Sequence, residues 1–261
     1  MLTIIIDSFD EYSDLWQSFF EVFKTQWSNC PYDVKLVSNK KIFNGIETIC
    51  VGEETCWSER TLKAVSQIET EYVLLLLEDY FLGEKVKTED VERLVSFVKD
   101  HNANYMRLTN IPESRFSNGD EIFPLYEDEE YAVNLQAAIW KKDFLIESLK
   151  KFPGNAWEFE VGFLRNAVGG THKEMVGCYG VLKDPLHIRN GVLKGKWFPS
   201  EIKFFTEKGF NISWQQRGKL SGKQVLKYKL SIGLKNKISY KTRKRLKKIL
   251  KKIGIKFVSD L

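Results

Sequence analysis

The chain of 261 residues has few of the residues that build metal centres and disulfide frameworks. Its four cysteines, Cys30, Cys50, Cys56 and Cys178, form no C-x-x-C pair, and only three histidines are present. A structural zinc site needs several such ligands at close spacing, so the sequence argues against one. We interpret the cysteines as reduced residues in or near the core.

Long hydrophobic runs are also absent. The longest uninterrupted apolar segment, Tyr72 to Leu77, has six residues, whereas a membrane-spanning helix needs about 20. The N-terminus, "MLTIIIDSFDEY", has no basic segment and reaches an acid at Asp7, so it does not resemble a secretory signal. We therefore expect a cytoplasmic protein without a transmembrane helix.

Charge is distributed unevenly along a chain that has enough apolar residues to form a core. The composition is 43% hydrophobic and 13% aromatic, and the net charge is +5, which is typical of a globular protein. Residues 201–261 contain 18 basic residues against three acidic ones, so the first 200 residues are net negative. We predict a folded domain over residues 1–200 and a basic helical extension over residues 201–261.

Strand-like and helical patterns alternate through the predicted domain. The run "LTIIID" predicts a strand, and "DEYSDLWQSFFEVFKTQW" follows with apolar residues at helical spacing. Alternating strands and helices predict an α/β fold with a mostly parallel sheet, whose central strands are apolar on both faces. Residues 109–131 are rich in Pro, Asn, Gly, Asp and Glu, and we predict one long loop there.

The most apolar predicted strand ends on two adjacent acids, Glu78 and Asp79, in "TEYVLLLLEDYFL". Ligands of open α/β sheets bind just beyond the C-terminal ends of the strands, so these carboxyl groups are expected to face a binding crevice. The alternative is that the two acids only begin a solvated loop.

The segment "WSERTLKAVSQIETEYVLLLLEDYF" resembles the nucleotide-sugar half of glycosyltransferases of the GT-A fold. In that family a helix carrying an Arg precedes an acidic turn, an apolar strand and a metal-binding motif, usually Asp-x-Asp. Arg60 and the pair Glu78-Asp79 occupy the matching positions, while Tyr80 stands where a second Asp is usual. The resemblance implies a GT-A-like, Rossmann-like fold and a Mg²⁺ or Mn²⁺ ion held by Glu78 and Asp79.

A second segment, "AWEFEVGFLR", is similar to the part of inverting GT-A enzymes in which a carboxylate beside a Trp deprotonates the acceptor hydroxyl. The resemblance implies that Glu158 or Glu160 is the base, and it leaves both open because residues two apart on a helix diverge by about 200°. Aromatic neighbours would raise the pKa of such a Glu. Trp157 and Gln136 are the expected acceptor contacts, and core packing is the alternative role of the aromatic residues.

A third segment, "LHIRNGVLKGKWF", is similar to the His-x-x-Gly and Lys-Trp segment that closes over the diphosphate in some enzymes of this fold. It implies His187 as a further metal ligand, with Arg189, Lys194 and Lys196 neutralising phosphates. The alternative is an ordinary basic loop.

Nucleotide-sugar contacts are expected at the ends of the first predicted strands and on the helix that follows. By position, these are Ser8, Asp10, Asn39 and Arg60.

The C-terminal run "KTRKRLKKILKKIGIKF" places apolar residues at helical spacing among basic ones. We predict a cationic amphipathic helix over residues 241–256 that lies on an anionic membrane surface. A nucleic-acid arm is one alternative, but the acidic body would repel a polyanion and no nucleic-acid module is visible. A helix packed on the domain is the other.

These patterns, and an opening that resembles bacterial surface-polysaccharide (capsule or lipopolysaccharide) transferases, predict a glycosyltransferase, a hexosyl- or related sugar transferase. It would move a sugar from a nucleoside-diphosphate donor, with UDP as the expected nucleotide, to a hydroxyl of a lipid-linked glycan, with inversion and a Glu base. The catalytic domain would sit on the inner face of the cell membrane, with no nucleic-acid partner. The alternatives are a nucleotidyltransferase with the same acids and a non-enzymatic protein that binds membranes or nucleic acid.

Overall fold

The computed structural model describes residues 2–53, 56–114, 116–167, 172–237 and 242. The strands are β1 (Leu2–Asp7), β2 (Asp33–Ser38), β3 (Glu47–Cys50), β4 (Tyr72–Leu77), β5 (Tyr80–Leu82), β6 (Tyr105–Arg107), β7 (Ile122–Tyr126), β8 (Ala138–Lys141), β9 (Glu174–Val181), β10 (Ile188–Asn190), β11 (Val192–Leu193) and β12 (Lys196–Trp197). The helices are α1 (Ser13–Gln26), α2 (Trp57–Val65), α3 (Thr88–Asp100), α4 (Lys142–Lys151), α5 (Ala156–Ala167), α6 (Pro199–Glu207) and α7 (Gly222–Lys237).

Eight strands form one sheet in the order β3-β2-β1-β4-β8-β6-β9-β7. The first four are parallel to one another, and β8 is antiparallel to both of its neighbours. Strand β9 is parallel to β6, and β7 is an antiparallel edge strand. The predicted α/β fold with a mostly parallel, Rossmann-like sheet flanked by helices is therefore confirmed.

The sheet separates two hydrophobic clusters, because successive side chains of a strand point to opposite faces. Ile4 and Ile6 of β1 belong to one cluster together with α1 and α3, and Ile5 belongs to the other together with α2, α4 and α5. All six residues of β1 and the first five of β4 are buried. Both strands are thus covered on both faces, as their continuous apolar runs predict.

The predicted long loop over residues 109–131 is wrong in part, because β7 lies within it. This strand contains Pro124 and a register shift between Pro124 and Tyr126, and such features are confined to edge strands and bulges. Proline and the polar flanks concealed the strand pattern.

The described residues after position 200 pack on the main body. Phe205, Phe210 and Ile212 belong to the same hydrophobic cluster as β1 and α1, and the domain boundary at residue 200 stays a prediction. The predicted amphipathic helix over residues 241–256 lies outside the described residues, apart from Thr242. Within the described ranges, no helix combines the length and apolar character needed to cross a membrane.

Candidate active site

Glu78 and Asp79 follow β4 directly, at the C-terminal edge of the parallel strands. Glu78 is buried, and burial, followed by the charge of Asp79, raises the pKa of its carboxyl group well above the ordinary value. Asp79 keeps some exposure, yet desolvation by the surrounding protein raises its pKa to about 7. The two carboxyl groups therefore favour a proton or a cation near neutral pH.

A third acid lies beside this pair because β1 and β4 are parallel neighbours. Asp7 ends β1 opposite Leu77 and is fully buried. Its carboxylate accepts hydrogen bonds from Arg60 Nε at 3.3 Å and from Thr61 Oγ1 at 2.7 Å. The structure thus places Arg60 beside the end of β1, with its charge balanced by Asp7, and its contact with a nucleotide stays a prediction.

The predicted nucleotide contacts near β1 lie at the same edge of the sheet. Ser8 is buried, and its hydroxyl accepts a hydrogen bond from Trp16 Nε1 at 2.8 Å. Asp10 and Asn39 each accept the other's backbone N–H through a side-chain oxygen, at 3.1 Å in both directions. These bonds tie the end of β1 to the end of β2 and shape the loop at this edge.

Arg217 reaches this edge from the C-terminal segment. Its guanidinium donates to both carboxylate oxygens of Asp14, a residue 203 positions away, at 2.7 and 2.6 Å. The guanidinium also lies 3.8 Å from the ring centre of Tyr12. Its positive charge lowers the pKa of Asp79 and so opposes the effect of burial. Arg217 therefore adds positive charge beside the acid pair.

Tyr80 links the acid pair to α5. Burial raises the pKa of its hydroxyl well above the ordinary value, and the charges of Asp79, Glu160 and Glu78 raise it further. The hydroxyl accepts a hydrogen bond from Gln136 Nε2 at 3.1 Å. The structure thus brings the predicted acceptor contact Gln136 and one predicted base, Glu160, around the same hydroxyl as the acid pair.

The structure separates the two predicted base candidates. Glu158 is exposed, and its Oε2 accepts the backbone N–H of Asn155 at 2.8 Å while Asn155 Oδ1 accepts that of Glu158 at 3.0 Å. This is a capping box at the start of α5. Glu160 is more enclosed, and burial raises its pKa, against a 2.8 Å hydrogen bond that Oε1 accepts from Leu135 N. Trp157, which precedes Glu158, is half-buried.

The basic segment, residues 186–198, contacts the Asp79 backbone and contains a hairpin. Gly191 N donates to the backbone oxygen of Asp79 at 2.9 Å, and β11 pairs with β12 across Lys194 and Gly195. Both turn residues have positive φ, 50° and 74°, as a tight two-residue hairpin requires. Lys194 and Lys196 are exposed on this hairpin, and Gly195 lies beside the guanidinium of Arg217.

The side chains of two other predicted residues of this segment have different surroundings. Arg189 pairs with Glu201 and packs 3.8 Å from the ring centre of Phe204. His187 is exposed and lines a separate cleft of about 680 Å³. The predicted metal shell of Glu78, Asp79 and His187 is not formed. The described residues contain no group of three or more His, Cys, Asp or Glu side chains that could hold a metal.

Glu78 and Asp79 alone can still contribute to a metal site. Mg²⁺ is commonly bound by one or two carboxylates together with substrate phosphates and water, and not by a cage of protein ligands alone. Glu78 and Asp79 supply such a pair, and desolvation by the surrounding protein is the main cause of the raised pKa of both carboxyl groups. Mg²⁺ and Mn²⁺ therefore fit the chemistry of the donor set, and their binding stays a prediction.

Sequence reasoning missed Asp7, Arg217 and Tyr80. Asp7 had a signal, because "LTIIID" ends on an acid in the same way as "LLLLED" does. The capping role of Glu158 also had one, since Asn155 and Glu158 match the spacing of a capping box. Arg217 had no local signal, because its partner Asp14 is 203 residues away.

Comparison with known proteins gives no family assignment. No protein-family model matches the chain, and no curated protein does. The S. aureus TarS fragment 1–349, also solved with UDP and with UDP-GlcNAc, aligns at 13% identity over 69% of this chain and 60% of that one, with a TM-score of 0.44.

Two other solved structures align over a similar part of the chain. A CMP:2-keto-3-deoxy-manno-octonic acid synthetase with CTP aligns at 11% identity over 69% of this chain and 88% of that chain, with a TM-score of 0.39. The bifunctional IspDF from Campylobacter jejuni aligns at 14% identity over 67% of this chain and 52% of that chain, with a TM-score of 0.35. Similarity at this level concerns the fold and not the substrate.

Proposed function

We propose that the chain is a glycosyltransferase that moves a sugar from a nucleoside-diphosphate donor to an acceptor hydroxyl. The observation that carries this proposal is the convergence of three carboxyl groups, Glu78, Asp79 and Glu160, whose charges all act on the buried Tyr80 hydroxyl. Sugar transfer needs stabilisation of the departing diphosphate and removal of a proton from the acceptor. The acid pair and Glu160 divide these two tasks.

Glu160 is the proposed base. Burial raises the pKa of its carboxyl group, which brings a Glu closer to the neutral range where general-base catalysis is most effective. The hydrogen bond from Leu135 N to Oε1 fixes the carboxyl group at 2.8 Å, and the other oxygen can take the acceptor proton. Removal of that proton favours attack on the anomeric carbon from the face opposite the diphosphate, so we propose inversion.

The acid pair and the basic hairpin are proposed to hold the donor diphosphate. Glu78 and Asp79 would hold Mg²⁺ or Mn²⁺, which would supply positive charge against the leaving diphosphate. Lys194 and Lys196 are exposed on the hairpin that follows Gly191, whose backbone N–H donates to the Asp79 backbone oxygen, and there they can approach the phosphates. Arg217 adds a fixed positive charge on the same side.

Nucleotidyl transfer is the rival activity, and Glu160 favours sugar transfer over it. In nucleotidyl transfer, the acceptor attacks the α-phosphate of a nucleoside triphosphate. The attacking group is often a phosphate of the acceptor, which is already ionised near neutral pH. Such a nucleophile needs no base, whereas a sugar hydroxyl does. The partly buried carboxyl group of Glu160 is thus better explained by a hydroxyl acceptor.

Product analysis separates the two activities. The full chain is incubated with UDP-, GDP-, CDP- and dTDP-sugars, and separately with nucleoside triphosphates plus sugar phosphates, each with and without Mn²⁺. We expect release of a nucleoside diphosphate from a sugar nucleotide, with UDP as the nucleotide. Release of pyrophosphate from a triphosphate would establish the rival instead. If no nucleotide is turned over or raises the Tm of the protein, neither transferase proposal stands.

We also propose that the chain works at an anionic membrane surface, on a lipid-linked glycan of bacterial surface-polysaccharide synthesis. The supporting observation is on α7, where Leu226 and Leu230 are exposed by 59% and 58% at i, i+4 spacing. Lys223, Lys227 and Lys229 are exposed on the same helix. Apolar residues among lysines are typical of helices that lie in the membrane interface.

Sedimentation with lipid vesicles tests the membrane proposal. The full chain should sediment with phosphatidylglycerol-containing vesicles and less with pure phosphatidylcholine, and high salt should release it. Replacement of Leu226 and Leu230 by Ser should weaken this binding. Equal binding of the double variant, or equal binding to both vesicle types, would contradict the proposal for α7.

A further inference from the structure

The connection between β7 and β8 contacts two residues of the candidate active site. Leu135 N donates to Glu160 Oε1 at 2.8 Å, and Gln136 Nε2 donates to the Tyr80 hydroxyl at 3.1 Å. Leu135 and Gln136 are consecutive, so the backbone conformation at this one point governs both hydrogen bonds. Whatever fixes that conformation therefore acts on the proposed base.

The residue before this pair, Asn134, uses its side chain to fix the connection. Asn134 is 3% exposed, and its Oδ1 accepts the backbone N–H of Gln136 at 3.0 Å, which is the hydrogen bond of an Asx turn. Its Nδ2 donates to the backbone oxygens of Ile111 and Tyr131, both at 3.0 Å. Both amide hydrogens and the side-chain oxygen are thus engaged.

The backbone of Asn134 is in turn held by the sheet. The hydroxyl of Tyr105, in β6, donates to Asn134 O at 3.1 Å and accepts the N–H of Asn134 at 3.3 Å. Tyr105 is 1% exposed, and its ring centre lies 4.4 Å from that of Trp140. Close-packed core side chains occupy defined rotamers, so Tyr105 gives Asn134 a fixed position relative to the sheet.

Asn134 also stabilises a strained residue of the connection. Tyr131 has a φ of 57°, in the left-handed region that bulky residues rarely adopt. Its backbone oxygen accepts hydrogen bonds from Asn134 Nδ2 and from Arg107 Nη1, the latter at 3.2 Å. Strain of this kind persists only where the surrounding contacts over-determine the conformation, and it clusters at functional sites. The two donors supply such contacts.

We propose that Asn134 is a positioning residue for the proposed base: it fixes the connection so that Leu135 N meets the Glu160 carboxylate. The inference rests on the proposed function, in which Glu160 takes the proton of the acceptor. Asn134 is buried and acts only through its neighbours. Through Gln136, whose backbone N–H it accepts, it also supports the hydrogen bond to Tyr80.

Loss of this support has a defined effect on the pKa of Glu160. Burial raises that pKa, and the hydrogen bond from Leu135 N opposes the increase. If the N–H is no longer held in place, the ionised carboxylate loses a charge-assisted bond, so the pKa should rise further. A base must be ionised to accept a proton, so the acidic limb of the pH–activity profile should move to higher pH.

The first measurement is the pKa of Glu160, obtained by NMR titration of carboxyl carbons in the full chain without substrate, with Glu160→Gln identifying the signal. We expect Asn134→Ala to raise this pKa. Tyr105→Phe should raise it less, because that variant keeps the Asn134 side chain.

Asn104→Ala is the matched control. Asn104 Nδ2 also donates to a backbone oxygen, at 3.0 Å, but its partner Val176 lies in β9 and not in the connection. This variant should leave the pKa of Glu160 unchanged, even where it lowers the Tm.

The pH profile of kcat is the second measurement. Asn134→Ala should lower kcat about tenfold on the acidic side of the profile and much less on the alkaline side. If Asn134→Ala does not fold, Tyr105→Phe decides the test by the same two measurements.

An unchanged pKa of Glu160 in a folded variant, or a kcat that falls equally at every pH, would overturn the inference and leave Asn134 a purely structural role. A raised pKa in a chain that transfers no sugar would uphold Asn134 as the residue that positions the Leu135 N–H against this carboxyl group, and it would reject the proposed glycosyltransferase.

Discussion

Two pairs of acids, one at the end of β4 and one at the start of α5, differ in how many of their side chains the fold encloses. Glu78 and Asp79 are adjacent at the end of β4, where burial raises the pKa values of both. Glu158 and Glu160 lie two residues apart on α5, where Glu158 caps the helix and Glu160 is held inward by Leu135 N. A strand end can present two acids to one ligand, whereas a helix start presents one and uses the other for its own backbone.

The largest effect on activity is expected for Asp79→Asn. This variant should lose detectable sugar transfer, because the amide cannot neutralise a metal or hold the same charge against the diphosphate. The fold should persist, since a neutral amide suits a desolvated position better than a carboxylate does. Product release and Tm are the measurements. A fully active variant would remove Asp79 from its assigned role.

The second test compares the two acids of α5. Glu160→Gln should lower kcat by about 10² to 10⁴, the usual contribution of a general base, with little change in donor affinity. Glu158→Gln, the matched control, should leave kcat close to that of the unaltered chain. The reverse order of effects would mean that Glu158, the exposed acid, is the base and that Glu160 has only a structural role.

A third prediction concerns Arg217. Arg217→Met removes a positive charge that lowers the pKa of Asp79, so the pH midpoint of activity should rise and the affinity for UDP should fall about tenfold. Asp14→Asn is the control, because it removes the partner of Arg217 but keeps its charge. Both variants should lower the Tm, and the upward shift of the pH profile is expected for Arg217→Met alone.

The pH dependence of stability gives a fourth test. The pKa of Asp79 rises from 3.8 to about 7 on folding, so the folded state binds more protons than the unfolded state between these values. The contribution of Asp79 therefore falls as pH rises from about 4 to 7, by about 1.4 kcal/mol per pH unit at most. Denaturant unfolding across this range should show a shallower decline for Asp79→Asn. An unchanged slope would contradict the raised pKa.

The smallest expected effect is on the helix cap. Glu158→Ala removes the acceptor for Asn155 N and should lower the free energy of unfolding by about 0.5 to 2 kcal/mol, the range for capping residues. Denaturant unfolding measures this change, while activity should stay the same. A loss of activity without a loss of stability would assign Glu158 to the chemistry.

Much of the fold could be predicted from the sequence, because each element carries its own pattern. The buried strands β1 and β4 are continuous apolar runs, and α1 and α3 repeat apolar residues at helical spacing. The edge strand β7 was missed because Pro124 and a bulge interrupt its alternation. Its place in the sheet depends on pairing with β9, which is a contact between distant parts of the chain.

The sequence by itself determined the fold class and the position of Glu78 and Asp79 at a strand end, since apolar periodicity and strand termini are local properties. Only the tertiary structure decided which of Glu158 and Glu160 is enclosed, that Arg217 stands beside Asp79, and that His187 lies elsewhere. These facts depend on burial and on pairs such as Asp14 and Arg217, 203 residues apart. Solvation and charge act through space, so they follow from packing and not from neighbours in the chain.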